Sequence, residues 1–196
     1  VIGNDKIQSS RVLTRRHLTV IKYIFKANSI HSTKKLGKML FFVIFSITIA
    51  VVAGFECPGG QLTPQQRKDI VRQNNKFRSL LIHGKLKNRN GTYMPRGKNM
   101  LLLKWSCQLE NSAQRWANQC VFGHSPRNQR QGIGENVYAY WSSESVEKLR
   151  NTAGTEAGKS WWSELPKLYK QNPSNNLTDD VAKQGVLHFT QVSEIL

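Results

Sequence analysis

The chain has no apolar run long enough to cross a membrane. Its main uncharged apolar run extends from Met39 to Ala53 and covers 15 residues, whereas a spanning helix needs about 20. Three lysines at positions 34, 35 and 38 precede this run, and small residues end it. That layout is typical of a signal peptide. We therefore predict a signal peptide over 39–53, a mature chain that begins near Gly54, and no stable membrane span after cleavage. An uncleaved signal anchor is the alternative.

Acidic residues are scarce, because 12 Asp and Glu stand against 29 Lys and Arg and leave a net charge of +17. Residues 1–38 carry +8 of that charge. We interpret them as an extension upstream of a natural start at Met39 and exclude them from the predicted fold. The remaining +9 contains no run of five or six cations. In an extracellular protein this favours acidic glycans or anionic lipid surfaces over nucleic acid as partners. Ordinary solvation of the surface is the simpler interpretation.

Cysteine is also scarce, with only Cys57, Cys107 and Cys120. All three follow the predicted signal peptide, in a compartment that permits disulfides. Because the number is odd, one cysteine is free, pairs with another chain, or has its partner outside this sequence. The sequons at Asn90 and Asn176 are predicted glycosylation sites if the chain enters the secretory pathway.

Two compact hydrolase motifs are absent. The sequence contains neither His-Glu-x-x-His nor Gly-x-Ser-x-Gly, so it predicts neither a zincin nor a nucleophile-elbow hydrolase. Residues 153–160 match a relaxed phosphate-loop pattern. That segment lies inside a predicted helix, whereas a phosphate loop follows a strand, so nucleotide binding is not expected.

Local signals predict a first helix that begins after Thr63. Pro64 suits the first helical position, and Gln66 completes a capping box with Thr63. Gly84 supplies the stop. The buried face recurs at helical spacing and comprises Ile70, Val71, Asn74, Phe77 and Leu81. Residues 85–99 are basic and polar and predict a long exposed loop.

Four more elements follow. Ser106 is the predicted cap of a second helix that Gly123 ends, and residues 132–141 predict a strand. A third helix is predicted over 145–165 and closed by Pro166, and residues 185–192 alternate like a strand. Most of the five tryptophans are predicted core residues. Since Trp161 and Trp162 are adjacent, they cannot both face the same side of a helix.

A series of short motifs resembles the CAP superfamily (cysteine-rich secretory, antigen 5, pathogenesis-related), nearest to nematode venom-allergen-like and activation-associated secreted proteins. In chain order the motifs are Asn75-Lys-Phe-Arg78, Leu103-Lys-Trp105, Leu109-Glu-Asn-Ser-Ala113, Trp116-Ala-Asn-Gln-Cys120, Gly123-His-Ser125, Gly134-Glu-Asn136, Trp161-Trp-Ser-Glu164 and His188-Phe-Thr-Gln191. The resemblance covers residues 62–192. It implies an α+β fold, the α-β-α sandwich, with 54–61 as the N-terminal segment of the mature chain and 62–196 as the CAP domain.

The resemblance also implies a cleft formed by His124, Glu135, Glu164 and His188. Two imidazoles can ligate zinc, while the carboxylates orient them or transfer a proton. His124 and His188 are therefore the expected zinc ligands, although no cofactor is required. The alternative is that these side chains form a satisfied hydrogen-bond network with a purely structural role.

The sequence departs from the family pattern at its end and at one helix position. Relatives continue past His-Phe-Thr-Gln with further strands and cysteines, whereas this sequence reads Val192-Ser-Glu-Ile-Leu196. We therefore expect the C-terminal strands of the domain to be missing. Asn74 stands where the family usually has a histidine outside the cleft.

The expected function is a secreted, extracellular binding protein. The resemblance implies host or other extracellular proteins as partners and a sterol or fatty acid as a ligand, with no nucleic acid. The alternative functions are a metal-dependent hydrolase that uses the four cleft residues and a purely structural extracellular module.

Overall fold

The computed structural model describes residues 21–23, 54–141, 147–170, 172 and 176–193. The predicted signal peptide and most of residues 1–38 lie outside these parts. Strand β1 (Ile21–Tyr23) pairs antiparallel with β2 (Asn136–Tyr138), with Ile21 opposite Tyr138. The helices are α1 (Pro64–Ile82), α2 (Cys107–Ala117), α3 (Glu147–Arg150), α4 (Ala153–Trp162), α5 (Glu164–Leu168), α6 (Asp179–Ala182) and α7 (Leu187–Ser193), with a 3₁₀ turn at Arg127–Gln129.

Helix α1 begins with the capping box that the sequence predicts. The backbone N–H of Gln66 donates to the Thr63 hydroxyl at 3.2 Å, and the Thr63 N–H donates to Oε1 of Gln66 at 2.8 Å. Pro64 occupies the first turn, where its missing N–H has no helical partner to lose. Gly84 adopts a left-handed backbone with φ 65°, so the chain turns away just after the helix ends.

Helix α2 starts at the predicted cap and ends earlier than expected. The Ser106 hydroxyl accepts from the Leu109 N–H at 3.3 Å. The helix stops at Ala117 rather than near Gly123. Cys120 has a left-handed backbone with φ 54°, which is incompatible with continued helix. The indole N–H of Trp116 then donates to the Gly123 carbonyl at 2.8 Å and holds the turn before the candidate site.

The single helix expected over 145–165 is instead three short helices. Pro166 lies inside α5 and does not close a helix. It is the third residue of α5, where a missing N–H leaves no helical bond unmade. Gly158 of α4 faces α1 closely, since a Cβ there would lie 3.1 Å from Oε1 of Gln73.

The strand expected over 185–192 is wrong, because residues 187–193 form helix α7. Its buried side chains, Phe189, Thr190, Val192 and Ser193, recur at helical spacing. The Thr190 N–H donates to the Val186 carbonyl at 2.9 Å, in the i to i−4 pattern of a helix. Periodicity alone does not separate helix from strand in a short apolar run.

The core lies where α4 meets α1 and α7. Buried side chains from these helices and the segments beside them form one cluster, which comprises Ile70, Leu81, Met94, Ala157, Trp161, Trp162, Leu165, Tyr169, Val181, Val186, Phe189 and Val192. Trp161 and Trp162 are core residues as predicted, but Trp141 is 59% exposed. None of the described helices combines the length and apolar character needed to cross a membrane.

Candidate functional site

His124 and Glu135 form the first of two histidine–carboxylate pairs. His124 follows the turn after α2, and Glu135 directly precedes β2. Nδ1 of His124 lies 2.9 Å from Oε1 of Glu135. The carboxylate is completely buried, whereas the imidazole is 56% exposed. More than half of the His124 side chain is therefore open to solvent, while the buried Glu135 carboxylate holds the ring through Nδ1.

The neighbouring Ser125 and Arg130 fix the Glu135 carboxylate. The Ser125 N–H donates to Oε1 at 2.8 Å, and the Ser125 hydroxyl donates to Oε2 at 2.6 Å. Nε of Arg130 lies 3.8 Å from Oε1 of Glu135 and also donates to the Ser125 carbonyl at 3.0 Å. This buried charge is thus paired and hydrogen-bonded, as a buried carboxylate must be. No feature of the sequence predicted a role for Ser125 or Arg130.

His188 and Glu164 form the second pair. Glu164 is the first residue of α5, and His188 is the second residue of α7. Nδ1 of His188 lies 2.7 Å from Oε1 of Glu164, and the Phe189 N–H donates to Oε2 at 2.9 Å. The Trp161 ring stacks on the imidazole with 6.2 Å between centroids and 16° between planes. Trp161 is therefore the tryptophan that borders the site, while Trp162 packs on Phe77 and Phe189.

A hydrogen bond from a side chain to the backbone connects the two pairs. Nδ2 of Asn136, the residue after Glu135, donates to the His188 carbonyl at 2.9 Å. Gly134 lets the Gln191 side chain lie close to the backbone at this point, because a Cβ at position 134 would overlap it. The motifs Gly134-Glu-Asn136 and His188-Phe-Thr-Gln191 therefore meet in the fold.

The arrangement can bind a cation through the histidines or serve as a structural network. In each pair Nδ1 faces a carboxylate, so the neutral imidazole keeps its proton there and Nε2 is the nitrogen with a free lone pair. Within the described parts of the chain, no group of three or more His, Cys, Asp or Glu side chains is placed to hold a metal ion. His124 and His188 would therefore supply at most two ligands, with water completing the shell.

The three candidate cysteines divide into one disulfide and one thiol. Cys57 and Cys107 are bonded, with 5.3 Å between their Cα atoms, and Cys120 is free and half-buried. The disulfide ties residues 54–60 to the start of α2. Asn90 and Asn176 are both exposed, and their glycosylation stays a prediction.

An open cleft of ≈ 560 Å³, which no sequence feature predicted, lies between α1 and the segment that leads into α4. Leu62 and Ile70 supply apolar surface. Four cationic side chains also line the cleft: Arg72, Lys76, Arg150 and Lys159. Asp69 is the acidic residue in the lining, and it pairs with Arg72 at 2.6 Å. No local signal marks such a cleft, because its walls come from residues more than 70 positions apart.

These features match a known family. A model of the cysteine-rich secretory protein family, CAP, matches residues 71–194. The chain belongs to the CAP family. That match contains all four residues of the two histidine–carboxylate pairs.

Individual relatives agree with the assignment. Ancylostoma secreted protein from Ancylostoma caninum is 34% identical over 143 residues, which is 70% of this chain and 32% of the relative. Venom allergen 3 homolog from Dinoponera quadriceps is 32% identical over 139 residues, 67% of this chain and 55% of the relative. The chain thus spans about a third of the first relative and just over half of the second.

Solved structures confirm the fold. The structure of BmVAL-1 is 97% identical and covers 71% of this chain and 68% of that one, with a TM-score of 0.70. A crystal structure of NaASP2 with Zn²⁺ is 30% identical and covers 70% of each chain, with a TM-score of 0.63. The predicted α-β-α sandwich is therefore confirmed.

Proposed function

We propose that this chain is a secreted, non-enzymatic CAP protein that binds a fatty acid in the cleft between α1 and α4. The observation that carries the proposal is the cleft of ≈ 560 Å³, whose lining combines the aliphatic side chains of Leu62 and Ile70 with four cationic side chains. Ligand pockets of several hundred Å³ suit small molecules, and a few placed polar groups fix their orientation. Leu62 would contact the acyl chain, while Lys76 would meet the carboxylate.

The cations around the cleft favour a fatty acid over a sterol. A sterol offers one neutral hydroxyl, whereas a carboxylate gains a charge-assisted hydrogen bond from an ammonium or guanidinium group. The long Lys and Arg side chains also present methylene stems that can line an acyl chain. Lys159 is partly neutralised by Glu156 at 2.7 Å, so Lys76 is the more favourable partner.

Secretion is supported by the predicted signal peptide, by the disulfide and by the names of the relatives. Disulfides persist in extracellular compartments and are rare in the cytosol. The relatives include a protein named as secreted and a venom allergen homolog. Host or other extracellular proteins are the proposed partners on this basis.

Fluorescence titration with cis-parinaric acid tests the fatty-acid site. Thr155→Trp should fill the cleft and weaken binding at least about tenfold, since a bulky ring occupies the acyl path. Lys76→Glu should also weaken binding, because it reverses the charge near the carboxylate. Ser160→Trp is the matched control, as Ser160 is exposed on the same helix and does not line the cleft. Equal affinities in all four proteins would place the ligand elsewhere and overturn the proposal.

A metal-dependent hydrolase is the second candidate. The observation that favours it is that carboxylates hold His124 and His188 at 2.9 and 2.7 Å through Nδ1. Such a carboxylate–histidine pair raises the basicity of a metal ligand. Ester hydrolysis that requires added zinc and disappears in His124→Ala would support the enzyme. Zinc binding without turnover would support the binding protein.

A further inference from the structure

The segment 85–98, here called the basic hairpin, concentrates positive charge that neither proposed function uses. Residues 70–109 contain no Asp or Glu at all, but nine Lys and Arg. Five of these cations lie in the basic hairpin, and all five are exposed: Lys85, Lys87, Arg89, Arg96 and Lys98. Surface cations are normally interspersed with acidic residues. A 40-residue stretch with nine cations and no acidic residue is therefore unusual.

The fold aligns these cations instead of leaving them on a loose loop. The Asn88 N–H donates to the Thr92 carbonyl at 2.9 Å, and the Met94 N–H donates to the Leu86 carbonyl at 2.8 Å. These bonds pair the two arms of the hairpin antiparallel, with a bridge between Lys87 and Tyr93. Side chains alternate between the two faces of an extended arm. In the first arm, which precedes the turn, one set of side chains therefore faces the core and the other faces solvent.

Burial confirms this alternation. Asn88 and Met94 are buried and Leu86 packs against the core, whereas Lys85, Lys87 and Arg89 are exposed. Side chains two positions apart on an extended arm are roughly 6–7 Å from each other. The outward face of the first arm therefore carries Lys85 and Lys87, and Arg89 follows at the turn.

Two contacts fix the hairpin to the body of the domain. The Gly97 N–H donates to the Ile82 carbonyl at the end of α1 at 3.0 Å, and the Arg89 N–H donates to the Tyr169 carbonyl at 2.9 Å. Both use backbone atoms, so the charged ends of the side chains remain available. Lys87 lies over the Tyr93 ring, 4.7 Å from its centroid, and none of the five cations forms an ion pair with a carboxylate of the described residues.

We propose that the outward face of the basic hairpin binds a linear sulfated polysaccharide. Several exposed cations on one hairpin, without acidic neighbours, match a polymer that carries closely spaced anions. Such a polymer binds with release of its condensed counterions, as nucleic acid does. An exposed arm with a fixed backbone contributes this charge with little loss of conformational entropy. The surface is separate from the α1–α4 cleft, so the inference does not rest on lipid binding.

Heparin binding of the full chain, measured by isothermal titration calorimetry at several salt concentrations, tests the proposal. Asn90→Gln serves as the common background, so that no glycan at the hairpin tip enters the comparison. Lys87→Ala/Arg89→Ala should weaken heparin binding roughly tenfold and reduce the slope of log K against log[salt] by about 1 to 2. Lys68→Ala/Arg115→Ala is the matched control, since it removes two exposed charges from α1 and α2 and should change affinity less than twofold.

Three outcomes would overturn the proposal. One is an equal loss in both double variants, which would show that net charge alone determines binding. Another is equal affinity for heparin and for fully desulfated heparin, which would show that sulfate is not recognised. The third is hairpin-dependent binding to phosphatidylserine vesicles without heparin binding, which would assign the surface to membranes.

Discussion

Nδ1 of His188 lies 2.7 Å from Oε1 of Glu164, while the neighbouring Phe189 N–H donates to Oε2 of the same carboxylate at 2.9 Å. Glu164 is therefore held through both oxygens by adjacent residues of one helix, α7. The stacked Trp161 ring covers one face of the imidazole. These contacts fix the ring orientation and the proton on Nδ1, which leaves Nε2 as the nitrogen for a cation.

This relationship predicts that Glu164→Gln weakens zinc binding by about 10- to 100-fold, as the loss of a carboxylate behind a histidine ligand typically does. Titration calorimetry with zinc chloride measures the effect. Glu156→Gln is the control, because Glu156 is a partly exposed acid of α4 paired with Lys159. Equal affinities for the two variants would remove Glu164 from the cation site, and a wild-type protein that binds no zinc would contradict the metal assignment itself.

Local features of the fold were predictable from the sequence, and features that depend on tertiary contacts were not. Thr63 and Gln66 specify the start of α1 because both partners of the capping box lie within three residues. Helix α7 was predicted as a strand, since its helical form depends on packing against α1 and α4. Its β-branched residues favour strand when considered alone.

The candidate site shows the same limit. The resemblance supplied His124, Glu135, Glu164 and His188, but no spacing along the chain indicates which histidine meets which carboxylate. The α1–α4 cleft was not predicted either, because its existence depends on how two distant helices pack. Exposure of the basic hairpin was predicted correctly, since its glycines, proline and charges are local signals.

A buried ion pair beside the disulfide gives a second prediction. Arg67 and Glu110 are 2% and 6% exposed and form two hydrogen bonds of 2.7 and 2.8 Å. The Trp105 indole N–H also donates to Glu110 at 2.7 Å. Glu110→Gln leaves the guanidinium buried without a counter-charge, so it should lower the free energy of unfolding by about 3–5 kcal/mol. Urea unfolding followed by tryptophan fluorescence measures this.

The double variant Arg67→Met/Glu110→Leu is the informative comparison for that pair. Apolar replacement of both partners removes the charge and its desolvation cost together, so the double variant should be more stable than Glu110→Gln alone. Arg67 Nη1 also donates to the Phe55 carbonyl at 2.9 Å, and the double variant loses this bond. A double variant less stable than Glu110→Gln would mean that such hydrogen bonds contribute more to stability than the buried, unpaired guanidinium costs.

Gly60 gives a third prediction, because a Cβ at this position would overlap Nη2 of Arg67 and crowd Glu110. The overlapping atoms belong to the Arg67–Glu110 pair, whose side chains are buried and held by two hydrogen bonds, so they cannot shift easily. Gly60→Ala should therefore cost about 2 kcal/mol of unfolding free energy, as overpacking of a core does. At Gly134 the overlapping atoms are the flexible end of Gln191, so Gly134→Ala should cost less. Urea unfolding of both variants checks the order, and the reverse order would contradict it.

Tyr169 gives a prediction for alkaline pH. Burial raises the pKa of its phenol above the ordinary value, and the Asn172 side chain opposes this to a smaller extent. Between the ordinary pKa of about 10 and the raised value, the unfolded chain releases the proton while the native protein keeps it. The unfolded state then binds fewer protons, so the free energy of unfolding should fall as the pH rises through this range.

The Tyr169→Phe variant should lose part of that alkaline decline, because it removes the titrating hydroxyl from a residue that is 1% exposed. Urea unfolding between about pH 9 and 11 measures the slope. Tyr93→Phe is the control, since Tyr93 is 60% exposed on the basic hairpin and its removal should leave the slope unchanged. The same slope in wild type and Tyr169→Phe would show that other groups cause the decline.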